Sequence, residues 1–533
     1  MKRILLLIFV LALILRFYKL GENPPSLYWD EASLGYNAYS LLKTAKDEHG
    51  VRLPITNFAA FGDYKPPGYI YTVVPFIQIL GLNEFSVRLP SAFFGTLTVL
   101  VTFLIANKIF PNKKISLTAA FLLAISPWHI QHSRAAFEAN LGLFFSTTAI
   151  YFFLKFATEK AYNMFPSAAF FLAAMYTFTG QRLFVPLILI VLIIQFHKQV
   201  LSNIKLVIIT AVISAFLFWP LFKFANFTIE GKQRFNEVTF FRDLKPIDDS
   251  ISYREDDNFS IFSNLIHNRR LFYLYNYFIH YLDFFNPSFL FINGDQNPRL
   301  SIQELGHLYY FEIILIISGI YYLFRNKANY RFLIIGWLLI SPLGPAVARE
   351  TPHALRVLHI LPTFQLISAY GFYHIYNIFR ARKLFYILSF FALIPSIFYY
   401  LHLYYYHYPK DYSYEWQYGY KQAVEFVKNS YSDYDQIFVT KAYGRPYIYF
   451  VMYMPIDPRL FQQSAQITRD NQFFYDVKSY DKLNFGDLPQ ETLPKGKNLY
   501  VVTPGEIPKE AHVLTTVYNL ASQPVFEIGE LQR

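Results

Sequence analysis

The chain has 533 residues, of which 54% are apolar, 20% aromatic and only 16% charged, against about 25% charged residues in a soluble domain. The net charge of +11 would favour nucleic acid in a soluble protein. Here the basic residues fall between hydrophobic runs, and neither an RNA-binding aromatic motif nor zinc-finger spacing is present. With no cysteine, disulfides, zinc–thiolate sites and cysteine nucleophiles are excluded, and an integral membrane protein is expected.

Lys2 and Arg3 precede an apolar run, Ile4 to Leu15, that ends in Arg16, Phe17, Tyr18 and Lys19. No small-residue cleavage site follows, so the run reads as a retained signal-anchor helix. Ten more runs of suitable length recur: 89–109, 115–131, 139–157, 165–179, 183–197, 204–222, 307–325, 331–348, 354–378 and 384–403. With the first at 3–20 they predict about eleven transmembrane helices. With the amino terminus in the cytoplasm, the inner loops collect Lys108/Lys113/Lys114, Lys155/Lys160, Lys198/Lys205, Arg325/Lys327/Arg331 and Arg380/Arg382/Lys383. That bias obeys the positive-inside rule. It places three larger segments outside: 21–88, 223–305 and the tail from Pro409.

The first outer segment is the most informative. Asn23 to Pro67 reads NPPSLYWDEASLGYNAYSLLKTAKDEHGVRLPITNFAAFGDYKPP. Ala32 to Ala45 places Leu34, Ala38, Leu41, Leu42 and Ala45 on one helical face, predicting a helix lying at the membrane interface. Gly68 to Leu82 is apolar but short, predicting a re-entrant or interfacial helix. The tail predicts a helix over Glu415–Lys428 and strands at 436–441, 498–504, 512–518 and 524–531. These would form a small α/β domain over 409–533 beside a membrane domain over 1–405.

Asp30 and Glu31 adjoin the start of the first interfacial helix. Two adjacent carboxylates can divide roles, one removing a proton from an acceptor hydroxyl while the other orients it. The same pair equally suits a helix cap, with Asp30 capping. Lys65, held extended by Pro66 and Pro67, is a phosphate ligand or a side chain snorkelling to lipid phosphate. Arg88, His129, His132, Arg134, Glu138, Gln181, Arg182, Arg349, His353 and Arg356 collect at outer helix ends, where each alone reads as an interfacial anchor. The histidines match no zinc pattern, so no metal and no other cofactor is expected. Asn226–Thr228 and Asn258–Ser260 are formal glycosylation sequons. No P-loop, GxGxxG or GxSxG element occurs, so neither a nucleotide-driven pump nor a serine hydrolase is expected.

Taken in order, YWDEASLGY, DYKPPGY, VRLPSAFFG (87–95), SPWHIQHSR and PHALR resemble the GT-C superfamily of polytopic glycosyltransferases. The likeness is to the protein O-mannosyltransferases, the bacterial aminoarabinose transferases and related RgtA/B/C/D-like enzymes, and it covers about residues 1–380. The resemblance implies an α-helical polytopic GT-C membrane fold. It also implies sugar transfer from a polyprenyl-phosphate-linked donor to a protein hydroxyl, lipid or glycan outside the cytoplasmic membrane, with inversion. In that reading Asp30 is the general base and Glu31 positions the acceptor. Lys65 holds the donor phosphate, with Arg88, Arg134, Arg182 and Arg356 as further phosphate or sugar contacts. The WWDYG signature of oligosaccharyltransferases is absent. A transporter or flippase of lipid-linked sugars is the alternative. It would place ionisable groups at mid-membrane and show repeated halves, and neither is visible here.

Overall fold

The computed structural model describes residues 2–469, 475–486 and 494–533. In chain order it begins with α1 (Lys2–Phe17), α2 (Trp29–Thr44), the hairpin β1 (Phe58–Ala60)–β2 (Asp63–Lys65) and α3 (Pro67–Leu80). There follow α4 (Glu84–Ile109), α5 (Lys113–Ile125), α6 (Pro127–Arg134), α7 (Glu138–Thr158), α8 (Met164–Thr177), α9 (Gln181–Gln195) and α10 (Ile204–Phe227). The middle segment is helical and carries α11 (Arg269–Asp283). Then come α12 (Glu312–Arg325), α13 (Arg331–Ile340), α14 (Thr363–Ile378) and α15 (Arg382–His402).

Each of the eleven expected runs contains a helix, but their lengths differ from the expectation. Among the described residues four helical stretches are long and apolar enough to cross a membrane: Glu84–Ile109, Glu138–Thr158, Ile204–Phe227 and Arg382–Asp411. The others are 10–16 residues, where about 20 are needed to span unaided. The 115–131 run, for instance, breaks at Ser126–Pro127 into α5 and α6, because proline disfavours helical backbone in the residue before it.

The chain divides into two compact units, 1–10 with 97–129 and 142–397, and 11–96 with 130–141 and 398–533. The tail thus groups with residues 11–96 rather than standing apart at 409. In the first unit α12 packs on α14, α14 on α5, α13 on α9 and α8 on α10. Helix α11 leaves Leu274, Tyr275 and Phe278 exposed, while its Tyr277 and Tyr281 hydroxyls donate to the Leu343 and Leu339 carbonyls.

In the second unit the tail holds α16 (Tyr420–Asn429), β3 (Gln436–Val439), α17 (Pro446–Tyr453), α18 (Pro458–Ser464), β4 (Gln466–Arg469), β5 (Tyr475–Tyr480), β6 (Leu483–Phe485), β7 (Lys497–Val502), β8 (His512–Tyr518) and β9 (Pro524–Gln532). These strands make one sheet in the order β4-β5-β6-β3-β7-β9-β8. Strand β3 runs parallel to both β6 and β7, and the remaining pairs are antiparallel. The expected α/β domain is present, with the strands at 436–441, 498–504, 512–518 and 524–531 found at nearly those bounds. The predicted helix begins five residues later than Glu415.

The expected interfacial helix departs most from expectation. Rather than laying one face in lipid, α2 is buried from Glu31 through Ala38 and again at Ser40 and Leu41, packed by α3, α17 and α18. Beyond its end, Glu48 is buried and accepts from Asn37 Nδ2 at 2.8 Å and from the Tyr447 hydroxyl at 3.3 Å. Burial pushes the Glu48 carboxyl up to about 8 and the neighbouring His49 imidazole down to about 4. Since an exposed glutamate titrates near 4.5, folding takes up a proton at Glu48 between that value and about 8. Stability is therefore lost as pH rises through this window. Glu48→Gln is expected to melt increasingly higher than wild type between pH 5 and 9, as read by thermal melts of the full chain in detergent.

Candidate active site

Asp30 and Glu31 sit in the first turn of α2, and successive residues of a helix point about 100° apart. Glu31 turns inward. Its Oε2 accepts the Tyr28 backbone N–H at 3.3 Å, the reach-back of a capping glutamate, and its Oε1 accepts the Ala136 N–H at 2.8 Å. Arg88 closes on it as a fork, Nε to Oε1 and Nη2 to Oε2, both at 2.9 Å, with both side chains wholly buried. The remaining Arg88 donors go to the carbonyls of Leu20, Pro24 and Ser26. Its guanidinium also lies 5.7 Å from the Trp416 ring.

The capping function therefore belongs to Glu31, and Asp30 is directed elsewhere. Arg88, expected at the donor phosphate, spends all five N–H donors inside the fold. Arg134 is also held inside the fold, by the carbonyls of Leu15, Tyr18, Lys19 and Asn23 and the Tyr404 hydroxyl. Arg88 therefore has no donor left for a phosphate while these bonds hold, and Arg134 is held by bonds from Nε, Nη1 and Nη2. The physical reason is burial: a buried guanidinium needs every N–H satisfied, and loop carbonyls answer that demand here.

Asp30 Oδ1 lies 3.2 Å from Lys65 Nζ, and Asp63 Oδ2 lies 2.8 Å from the same ammonium. All three side chains are partly open, 13–22% exposed. The hairpin explains the arrangement. Phe61 and Gly62 form its two-residue turn, both at positive φ (56° and 89°), as a type I′ turn requires. Strand residues two apart share a face, so Asp63 and Lys65 project together toward Asp30. Pro66, extended at φ −60° and ψ 146°, then ends the strand, and Pro67 starts α3. Glu138, at the head of α7, interacts electrostatically with Lys65, Asp30 and Asp63.

Sequence reasoning missed Asp63 as a partner. The signal was present, since Phe61–Gly62 is a hairpin turn that fixes Asp63 two residues before Lys65. It also missed what holds α2 from the tail side. Gln417 Oε1 accepts the Trp29 backbone N–H at 3.0 Å and also the Tyr449 hydroxyl. Gln417 Nε2 donates to the Tyr443 carbonyl at 2.9 Å. Gly444, at φ +113°, comes so close to Trp29 that a Cβ there would stand 2.6 Å from its ring. Gly444→Ala is therefore expected to displace Trp29 and the adjoining Asp30. It should lower turnover at least about tenfold, since ångström-scale misplacement is costly, while far-UV circular dichroism stays unchanged.

Arg182 and Arg356 belong to the other compact unit. Arg182 Nε donates to the Met175 carbonyl at 3.4 Å. Arg356 pairs with Glu350 at 3.6 Å. Among the described residues no group of three or more His, Asp or Glu side chains is placed to hold a metal ion.

Residues 6–229 match the family model described as dolichyl-phosphate-mannose-protein mannosyltransferase. The whole fold superposes on ArnT from Cupriavidus metallidurans in the apo state with a TM-score of 0.58 at 11% identity, covering 99% of this chain and 97% of that one. The chain has the fold of that membrane enzyme. Its fold is also similar to ArnT bound to undecaprenyl phosphate (TM-score 0.54, 10% identity, 99% and 97% covered). A third likeness is to the oligosaccharyltransferase AglB from Archaeoglobus fulgidus in complex with an inhibitory peptide and a dolichol-phosphate (TM-score 0.50, 14% identity, 85% of this chain). An uncharacterized Aquifex aeolicus protein is 29% identical over 162 residues, 30% of this chain. The chain spans 31% of that relative's length and 63% of AglB's.

Proposed function

We propose that this protein is a GT-C glycosyltransferase that transfers a sugar from a polyprenyl-phosphate-linked donor to an acceptor hydroxyl on the outer face of the cytoplasmic membrane. The observation that carries the reading is the Asp30–Lys65–Asp63 cluster, a base and a cation within 3.2 Å of each other at a partly open position. An arriving phosphodiester competes with Asp30 for the Lys65 ammonium, which Asp63 continues to hold. Asp30 is then left with lone pairs for the acceptor hydroxyl. As the acceptor oxygen bonds to the anomeric carbon, its proton passes to Asp30. The bond from that carbon to the phosphate oxygen breaks on the opposite face, and polyprenyl phosphate departs with its new charge on Lys65. A single in-line displacement inverts the anomeric centre.

Glu31, Arg88 and Arg134 act in this scheme by holding the first turn of α2 and the preceding loop in place, without contacting substrate. The similarity to a GT-C structure bound to undecaprenyl phosphate supports a polyprenyl carrier. The test is to reconstitute the full chain with a panel of polyprenyl-phosphate sugars and an acceptor extract, and to assay free polyprenyl phosphate. Release with one donor and acceptor is expected. Translocation of intact donor with no release would overturn the reading in favour of a transporter.

A further inference from the structure

Helix α2 carries Asp30 in its first turn, and at its other end the second unit opens into a cleft of about 690 Å3. Lys43, Lys46 and Arg459 line it, with Thr44, Gly50 and Gln462. No carboxylate does. Arg52 adds a fourth cation, because its backbone pairs with that of Lys46 in the tight turn closed by Asp47 N–H to the Val51 carbonyl at 2.9 Å. Of the neighbouring acids, Asp47 is buried, and its Oδ1 accepts the His49 and Val51 N–H groups. Asp457 Oδ1 accepts the Arg459 N–H. Among the described residues no ion pair involves any of the four cations.

The carbonyl end of a helix favours a cation, which accounts for Lys43. That effect fades within the last turn. Arg459 is partly answered too, its Nη2 donating to the Lys43 carbonyl at 3.4 Å; Lys46 faces the same cleft, whose lining holds no carboxylate, and an anionic ligand relieves the mutual repulsion of the three. A rim of exposed aliphatic residues adjoins the lining in sequence: Val51, Leu53, Ile55 and Leu460 are 48–61% exposed, the Leu53 N–H donates to the carbonyl of the lining residue Ala45 at 3.0 Å, and residues 50–62 contain no acid. The Tyr71 hydroxyl of α3 ties this rim down by donating to the Pro54 carbonyl at 3.1 Å. Cations alternating with exposed aliphatic side chains form a surface complementary to a phosphate bearing hydrocarbon tails. The volume lies in the range of small-molecule sites.

We propose that this cleft binds an anionic glycerophospholipid. The phosphate sits among Lys43, Lys46 and Arg459, and the acyl chains lie over Val51, Leu53, Ile55 and Leu460. Thirteen residues of helix separate Lys43 from Asp30, about 20 Å, so the site is distinct from the reacting groups and independent of the proposed reaction. The absence of native cysteine allows a clean probe. Leu53→Cys carrying an environment-sensitive fluorophore is titrated in the detergent-solubilised full chain with dioctanoyl phosphatidylglycerol, dioctanoyl phosphatidylcholine or inorganic phosphate. Half-saturation with phosphatidylglycerol is expected at least tenfold below that with phosphatidylcholine. Lys46→Glu with Arg459→Glu should abolish the difference at unchanged melting temperature, and Lys46→Gln alone should reduce it. Equal response to the two lipids overturns the proposal. So does a response to inorganic phosphate at the same concentrations as phosphatidylglycerol.

Discussion

Asp30→Asn is expected to lower kcat about 10²- to 10⁴-fold, the usual contribution of a positioned general base. Its melting temperature should stay close to wild type. The exchange keeps the shape of the side chain, and that side chain is partly open rather than packed in the core. Lys65 retains Asp63 at 2.8 Å, so the ammonium is not stranded. The measurement is steady-state release of polyprenyl phosphate at saturating donor, with a melt on the same preparation. Turnover equal to wild type would remove Asp30 from the base role while leaving the transferase reading intact. Folding loss together with activity loss would instead place Asp30 among the residues that hold the fold.

Arg88→Met should do the opposite. It strands Glu31 in the interior with a fork of two bonds removed, and breaking a buried ion pair from one side costs about 3–5 kcal/mol. Three loop carbonyls also lose their donor. The expected outcome is a large fall in melting temperature and yield. Adding Glu31→Gln should recover part of it, because the orphaned charge is then gone. Were Arg88 a donor-phosphate ligand, the single variant would raise KM for the donor at unchanged melting temperature. Thermal melts of the two variants beside the donor KM separate these outcomes.

These two variants touch residues that were legible in the chain as candidates, and whose partners were not. Composition and hydrophobic runs placed every long helix, because a helix in lipid must be apolar along its length and that requirement is local. Strand-like runs in the tail were equally legible from β-branched and aromatic content. The helices that fall short of a full span were not, since their ends are set by breaks such as Ser126–Pro127 and by packing. The expected lipid-facing stripe on α2 failed for a related reason. Leu34, Ala38 and Leu41 do lie inward, but so do Tyr36, Asn37 and Ser40, once α17 and α18 of a distant part of the chain cover the other side.

The pair Asp30–Glu31 separates the two kinds of information. The sequence by itself determined that two carboxylates open a helix just beyond a hydrophobic run, that a proline-stiffened lysine follows, and that their order matches GT-C motifs. Only the tertiary structure decided which carboxylate meets which partner. Neighbouring helix positions diverge by about 100°, so one acid had to face the core and the other the hairpin. Arg88, 57 residues beyond Glu31, claims the inward one. The type I′ turn at Phe61–Gly62 delivers Lys65 and Asp63 to the outward one. Both partners arrive through folding at long range, and no local pattern around Asp30 encodes them.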